Sequence, residues 1–131
     1  MGLFYTSIRA RDLKKSVDFY TKRMGMKVVE RWSPVPGEKI VNLLSKDTGQ
    51  RLRIMWYSKE CEWYEPYKKG SEMDHLVFDV DDARKEYDRL VKNGAKAATK
   101  LFERPGMAMG FVKDPDGIWV GVRSEEGRKK K

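Results

Sequence analysis

His75 is the only histidine in the 131-residue chain, and it stands in Asp74-His75-Leu76-Val77-Phe78-Asp79-Val80. An imidazole with an ordinary pKa of about 6.5 changes charge near neutral pH, so any general acid–base step falls to it first. Four arginines, Arg9, Arg51, Arg53 and Arg123, stand in stretches that also carry Tyr5, Tyr57 and Trp119. Guanidinium forks match carboxylate and phosphate, so this combination suits a small anionic ligand with aromatic walls. The competing reading is mutual neutralisation, in which Arg9 or Arg53 pairs with Asp79 or with Glu60, Glu62 and Glu65. The single cysteine, Cys61, has no second histidine to activate it and reads as a quiet surface thiol.

These residues need elements to hold them. Alternation over residues 3–11 predicts a strand with Tyr5, Ser7 and Arg9 on one face. Asp12 stands where a helix N-cap belongs, and Leu13, Val17, Tyr20 and Met24 follow as one apolar stripe, closed by Gly25. Strands are expected at 26–32, 39–45 and 51–57, with a break at Ser33-Pro34-Val35-Pro36-Gly37 and a turn at Asp47-Thr48-Gly49. On the last of these strands Arg51, Arg53, Met55 and Tyr57 share a face. Residues 58–72 follow neither period, and Trp63, Tyr64 and Tyr67 in them are expected to lie over something apolar. The pattern then restarts. His75 to Val80 is a strand, Asp81 or Asp82 caps a helix with Ala83, Tyr87, Leu90 and Val91 inward, and Gly94 closes it. Strands near 96–103, 107–113 and 118–123 complete the chain, the last two joined by Asp114-Pro115-Asp116-Gly117.

Tyr5 and His75, like Asp12 and Asp82, stand 70 residues apart, which marks an internal repeat. The expected architecture is one α+β domain of two βαβββ modules, about 3–57 and 74–123. Residues 58–72 form a loop between them and 124–131 a basic tail. Each module leaves one sheet face under its helix and the other bare. Two side by side form an open, cup-like mixed β-sheet with a concave face for a ligand. That face collects Tyr5, Ser7, Arg9, Arg51, Arg53, Met55 and Tyr57, then His75, Val77, Asp79, Trp119 and Arg123.

Composition limits the alternatives. The formal charge of +8 invites nucleic acid, but Lys14, Lys15, Lys22, Arg84, Lys85 and Lys92 are interleaved with acids, as on a solvated surface. No apolar run approaches ~18 residues, and the first residues lack the form of a signal peptide, so a cytoplasmic protein is expected. One cysteine allows no internal disulfide.

The run from Ile8 to Thr21 (IRARDLKKSVDFYT) with Gly25-Met26, then Asp74-His75, then Phe111 to Val120 (FVKDPDGIWV), resembles the vicinal oxygen chelate superfamily. This is the glyoxalase, bleomycin-resistance and dioxygenase type, and the first helix is most similar to glyoxalase I (lactoylglutathione lyase). The resemblance implies up to four inward metal ligands. They map to Tyr5, where the family has His or Gln; to Arg53, where Glu or Gln is usual; to His75, which matches; and to Gly121, where a Glu is expected. Zn, Ni, Mn or Fe needs about three N/O donors, and a guanidinium offers no lone pair. No cofactor is therefore expected; a divalent metal enters only if donors come from the loop or a partner chain. Arg9 corresponds to an arginine with which glyoxalase I contacts a carboxylate of glutathione. A homodimer is implied by family habit. The resulting expectation is a binding protein for a small, anionic molecule with a degenerate metal site. The alternative is a metal-dependent lyase or isomerase of glyoxalase I type. A residual metal-free proton abstraction would use His75, with Arg53 and Tyr5 stabilising an oxyanion.

Overall fold

The computed structural model describes residues 1–126; the rest of the expected basic tail lies outside the described residues. The architecture is α+β, as expected, and the chain separates into two compact units. One comprises Tyr5–Asp74. The other comprises Met1–Phe4 with the chain from His75 onward.

In the first unit the strands run in the order β2 (Lys27–Trp32), β3 (Glu38–Leu44), β4 (Arg51–Tyr57), β1 (Gly2–Arg9). β3 is antiparallel to both neighbours, and β1 lies parallel to β4 with Ser7 opposite Arg53. A parallel pair needs a crossover, which the helical segment between β1 and β2 begins. The Asp12 side chain accepts from the Lys15 N–H at 3.0 Å, and α1 spans Leu13–Asp18. It continues as a π-helical segment, Phe19–Arg23. The wider turn overturns part of the expected stripe. Val17 is buried and Leu13 and Tyr20 pack on the core, but Met24 is 61% exposed. Bonding at i→i+5, as in Met24 N–H to the Phe19 carbonyl, shifts later side chains off the 3.6-residue period, and Met26 packs in Met24's stead. The core between helix and sheet is Ala10, Val17, Val41, Leu43 and Ile54.

The second unit repeats the connectivity. Its order is β5 (Met73–Asp79), β9 (Trp119–Glu125), β8 (Met107–Lys113), β6 (Lys96–Ala97), and β7 (Phe102–Arg104) also pairs with β8. β5 is parallel to β9, with Val77 opposite Gly121. The expected strand near 96–103 is thus two short pieces. Asp82, not Asp81, caps α2 (Ala83–Lys92), accepting from the Lys85 N–H at 3.1 Å. Ala83 is fully buried and Tyr87 and Leu90 join the core with Val80 and Val122, whereas Val91, expected inward, is 39% exposed. Gly110 is required here: a Cβ on it would stand 2.7 Å from the Tyr87 ring. In the Asp114-Pro115-Asp116-Gly117 turn the Asp114 carboxylate accepts from the N–H groups of Asp116 and Ile118, at 2.8 and 2.9 Å.

Candidate functional site

The sheet faces away from the helices carry the residues of interest. In the first unit β1 contributes Tyr5, Ser7 and Arg9, β4 contributes Arg51, Arg53 and Tyr57, and β3 contributes Glu38 and Asn42. Arg53 is the centre of this group. Its guanidinium carbon lies 4.0 Å from the centroid of the Tyr5 ring, and its Nε–H donates to Asn42 Oδ1 at 2.8 Å. The Asn42 amide in turn donates to Glu30 Oε1 at 2.6 Å. Tyr5 is 4% exposed, so the cation–π contact is largely desolvated and of the order of 2 kcal/mol. Asn42, Glu30 and Tyr5 fix both the plane and the direction of one cation. Ser7, opposite Arg53, is fully buried, and its hydroxyl has no hydrogen-bond partner among the described residues.

Glu38, which the sequence reading did not single out, is buried close to this cation. Burial holds its carboxyl above the usual range, while the Arg53 charge pulls it back down and Asp74 and Glu62 push it up. Tyr57, opposite Glu38, donates its hydroxyl to Asp74 Oδ2 at 3.0 Å. Burial, and then the Asp74 charge, raise its phenol far above the ordinary value, so it stays protonated at any physiological pH. Arg51 is exposed at the start of β4.

Arg9 has a different setting. Its Nη2 donates to the backbone carbonyl of Glu65 at 2.7 Å, and its guanidinium carbon lies 5.5, 5.5 and 5.6 Å from the rings of Tyr57, Tyr64 and Tyr67. The tyrosines of the 58–72 segment therefore surround a cation, not an apolar floor, and Trp63 is 46% exposed. Cys61 is also a correction: it is 5% exposed, with its side chain turned in against Gly37. Gly37 has φ +80, and a Cβ there would meet Ser58 Oγ and stand 3.2 Å from Cys61 Cβ, so glycine is what lets the segment close down.

In the second unit His75, 8% exposed, stands opposite Trp119, and its ring meets the Phe111 ring edge-on with centroids 5.4 Å apart. Phe111 and Trp119 are 5.7 Å apart. Phe111 lies over Gly121, its partner across β8 and β9: a Cβ on Gly121 would stand 2.7 Å from Phe111 Cε1. Arg123 is held by Glu125 at 2.6 Å and Asp79 at 3.6 Å, a neutralisation expected from the sequence at Arg9 or Arg53 and not at this arginine. Phe111 was the missed residue here. Its signal was a large aromatic antiparallel to a glycine, visible only once the register is known.

The donors required by a divalent metal can be checked against these surroundings. Tyr5 lies beneath a guanidinium. Arg53 has no lone pair to give. Gly121 supplies no donor, and an aromatic ring fills the space a side chain would need. Of the four positions only His75 carries a conventional ligand. Among the described residues no group of three or more His, Cys, Asp or Glu side chains is close enough to hold an ion. The side chains at the family's ligand positions do not fit a metal.

Known proteins agree on the scaffold. The chain is similar to lactoylglutathione lyase of Escherichia coli O157:H7, 30% identical over 129 residues, covering 96% of this chain and 94% of that one. The enzyme of the same name from Neisseria meningitidis serogroup A is 26% identical, over 92% and 88% of the two chains. Among solved structures, methylmalonyl-CoA epimerase from Mycobacterium tuberculosis superposes with a TM-score of 0.78 at 18% identity, covering 95% of this chain and 87% of that one. The profile described as Glyoxalase/Bleomycin resistance protein/Dioxygenase superfamily matches residues 2–122. With strand order, register and profile in agreement, the chain belongs to the Glyoxalase/Bleomycin resistance protein/Dioxygenase superfamily.

Proposed function

We propose that this protein binds a small anionic molecule through the helix-free face of the Tyr5–Asp74 unit, with Arg53 as the principal anion contact. The observation that carries the reading is the placement of Arg53: a cation oriented by Asn42 and backed by the Tyr5 ring stands where the family usually has a metal-ligating Glu or Gln. A guanidinium fixed in plane and direction is suited to bidentate recognition of a carboxylate or phosphate. Ser7, Arg51 and Tyr57 are its neighbours on the same face. Arg9 contributes to that face through the covering segment. In the second unit His75 is kept as a polar contact, with Trp119 as apolar wall and Arg123 held in ion pairs. The protein is proposed to act in the cytoplasm, as a homodimer and without a bound metal.

The test is binding of succinate, glutathione and coenzyme A to the purified protein, followed by calorimetry. At least one is expected to bind, and Arg53→Met to weaken it at least tenfold, because losing a charge-assisted pair costs about 1.5–3 kcal/mol. Unchanged affinity in Arg53→Met sinks the assignment.

A second reading, a lactoylglutathione-lyase-like activity, is favoured by the 30% identity to the Escherichia coli enzyme. It predicts stoichiometric Zn, Ni, Mn or Fe that survives dialysis, and formation of lactoylglutathione. Either result would displace the metal-free reading. If turnover is found without metal and His75→Ala leaves it unchanged, His75 is no acid–base group.

A further inference from the structure

We infer that Arg9 is a positioning residue: it latches residues 58–72 as a strap over one face of the Tyr5–Asp74 unit, and releasing it opens that strap. The inference goes beyond the proposed anion site and does not depend on it.

Two observations converge on the Arg9 side chain. The Nη2–H bond to the Glu65 carbonyl ties the arginine to the middle of the strap across 56 residues of sequence. Tyr64 and Tyr67 from the strap and Tyr57 from β4 present their rings to the same guanidinium at 5.5–5.6 Å. Apart from the side chain, the backbone N–H of Arg9 donates to the Glu72 carbonyl at 2.7 Å, which ties the strap's far end to the end of β1 and leaves its middle to the guanidinium. Arg11 adds a second cation 4.7 Å from the Tyr67 ring. At the near end Ser58 N–H bonds the Gly37 carbonyl at 2.7 Å, and Gly37 leaves room for the Cys61 side chain to turn in.

Beyond the backbone bonds at its two ends, the Arg11 contact with Tyr67 and the buried Cys61, most of the strap faces solvent. Glu60, Glu62, Trp63, Glu65, Lys68 and Lys69 are exposed, and the segment has neither helix nor strand. A loop with few buried apolar contacts opens locally at low cost unless something pins it. Here that pin is one planar cation shared between three rings and one carbonyl. Lysine would not replace it, because an ammonium is a point charge that cannot present a flat fork to the carbonyl and faces to several rings together.

Cys61 supplies the readout. It is the only thiol in the chain, and it lies within the strap with its side chain buried against Gly37, so its reaction with Ellman's reagent reports lifting of the strap. Wild type is expected to react slowly, Arg9→Ala at least tenfold faster, and Arg9→Lys close to Arg9→Ala. Limited proteolysis is expected to cut Arg9→Ala first within 58–72. Ile54→Val serves as a control that lowers global stability from the core without touching the strap, and its thiol rate should stay within twofold of wild type. If Arg9→Ala fails to fold, the paired change Tyr64→Leu with Tyr67→Leu removes the two strap rings and should give the same acceleration. Thiol rates in a folded Arg9→Ala, or in the tyrosine pair, that equal wild type overturn the latch. So does an Ile54→Val rate that rises as much as theirs, since exposure would then come from global unfolding.

Discussion

The two units share a backbone plan and differ in what covers their helix-free faces. Asp12 and Asp82 cap the two helices in the same extended conformation, at φ −124 and −141. The first strand of each unit lies parallel to its last. In both units the family's ligand position on the last strand pairs with the residue two beyond the ligand position on the first: Ser7 opposite Arg53, and Val77 opposite Gly121. In the Tyr5–Asp74 unit that face holds an oriented cation, a buried carboxyl and a latched strap. In the other unit it holds His75 edge-on to Phe111, with Trp119 tilted against Phe111, over a glycine. The helix-side cores, by contrast, are both mainly aliphatic and each takes a partly buried tyrosine from its helical segment, Tyr20 or Tyr87, with Phe78 added in the second. Helix-side residues are tied to the packing of sheet against helix, while the opposite face is free to change its chemistry.

The largest expected effect comes from reinstating a carboxylate at Gly121. Gly121→Glu drives a side chain into the Phe111 ring and buries a charge, and should cost about 3 kcal/mol in urea unfolding. Adding Phe111→Ala should recover a good part of that loss, since the two share one space. Strictly additive costs would mean that the ring is not what excludes a side chain there.

Next comes Arg53→Met. It leaves the Asn42 carbonyl oxygen without its donor on a buried face and removes the contact with Tyr5, for a loss of about 2 kcal/mol. His75→Phe in the other unit should cost less, because that site is already aromatic. Equal losses would erase the contrast between an electrostatic and an aromatic face.

Asp12→Ala and Asp82→Ala test the shared plan instead. Each removes one N-cap bond and should cost about 1 kcal/mol. A difference of more than twofold would show that the π-helical continuation of α1 changes how much its cap matters.

The smallest effect is one of pH. Burial raises the Glu38 pKa in the folded protein, so the native state holds its proton to higher pH than the unfolded chain does. Stability therefore declines as pH climbs from the ordinary glutamate value, about 4.3, through the raised folded value, and the penalty is complete above it. Glu38→Gln should remove this decline. The gain in melting temperature over wild type should be present at pH 8 and vanish near pH 4. A gain independent of pH would place the cause in packing, not in the charge.

Much of this was legible in the residues themselves. Period and punctuation located the capped helices, the strands and the Asp114-Pro115-Asp116-Gly117 turn, because these depend on neighbours a few positions away. The motifs around Asp12 and Asp114 carried the family, and alternation alone set Arg53 on the face of Tyr5. Met24 alone leaves the expected first stripe, for a local reason: an i→i+5 turn has no signature in a 3.6-residue pattern.

What the sequence determined, then, was the scaffold and the list of side chains that each face presents. Which of them touch was decided by strand register and by the path of an irregular segment, and neither follows from the period within one element. Register brought Asn42 to Arg53 and Phe111 over Gly121, and no spacing along the chain encodes either pair. The path of residues 58–72 set Tyr64 and Tyr67 against Arg9 and took Cys61 out of water. Local physics wrote the elements; hairpin register, as at Arg53 and Asn42 11 residues apart, and closure over the 56 residues from Arg9 to Glu65 set what their side chains can do.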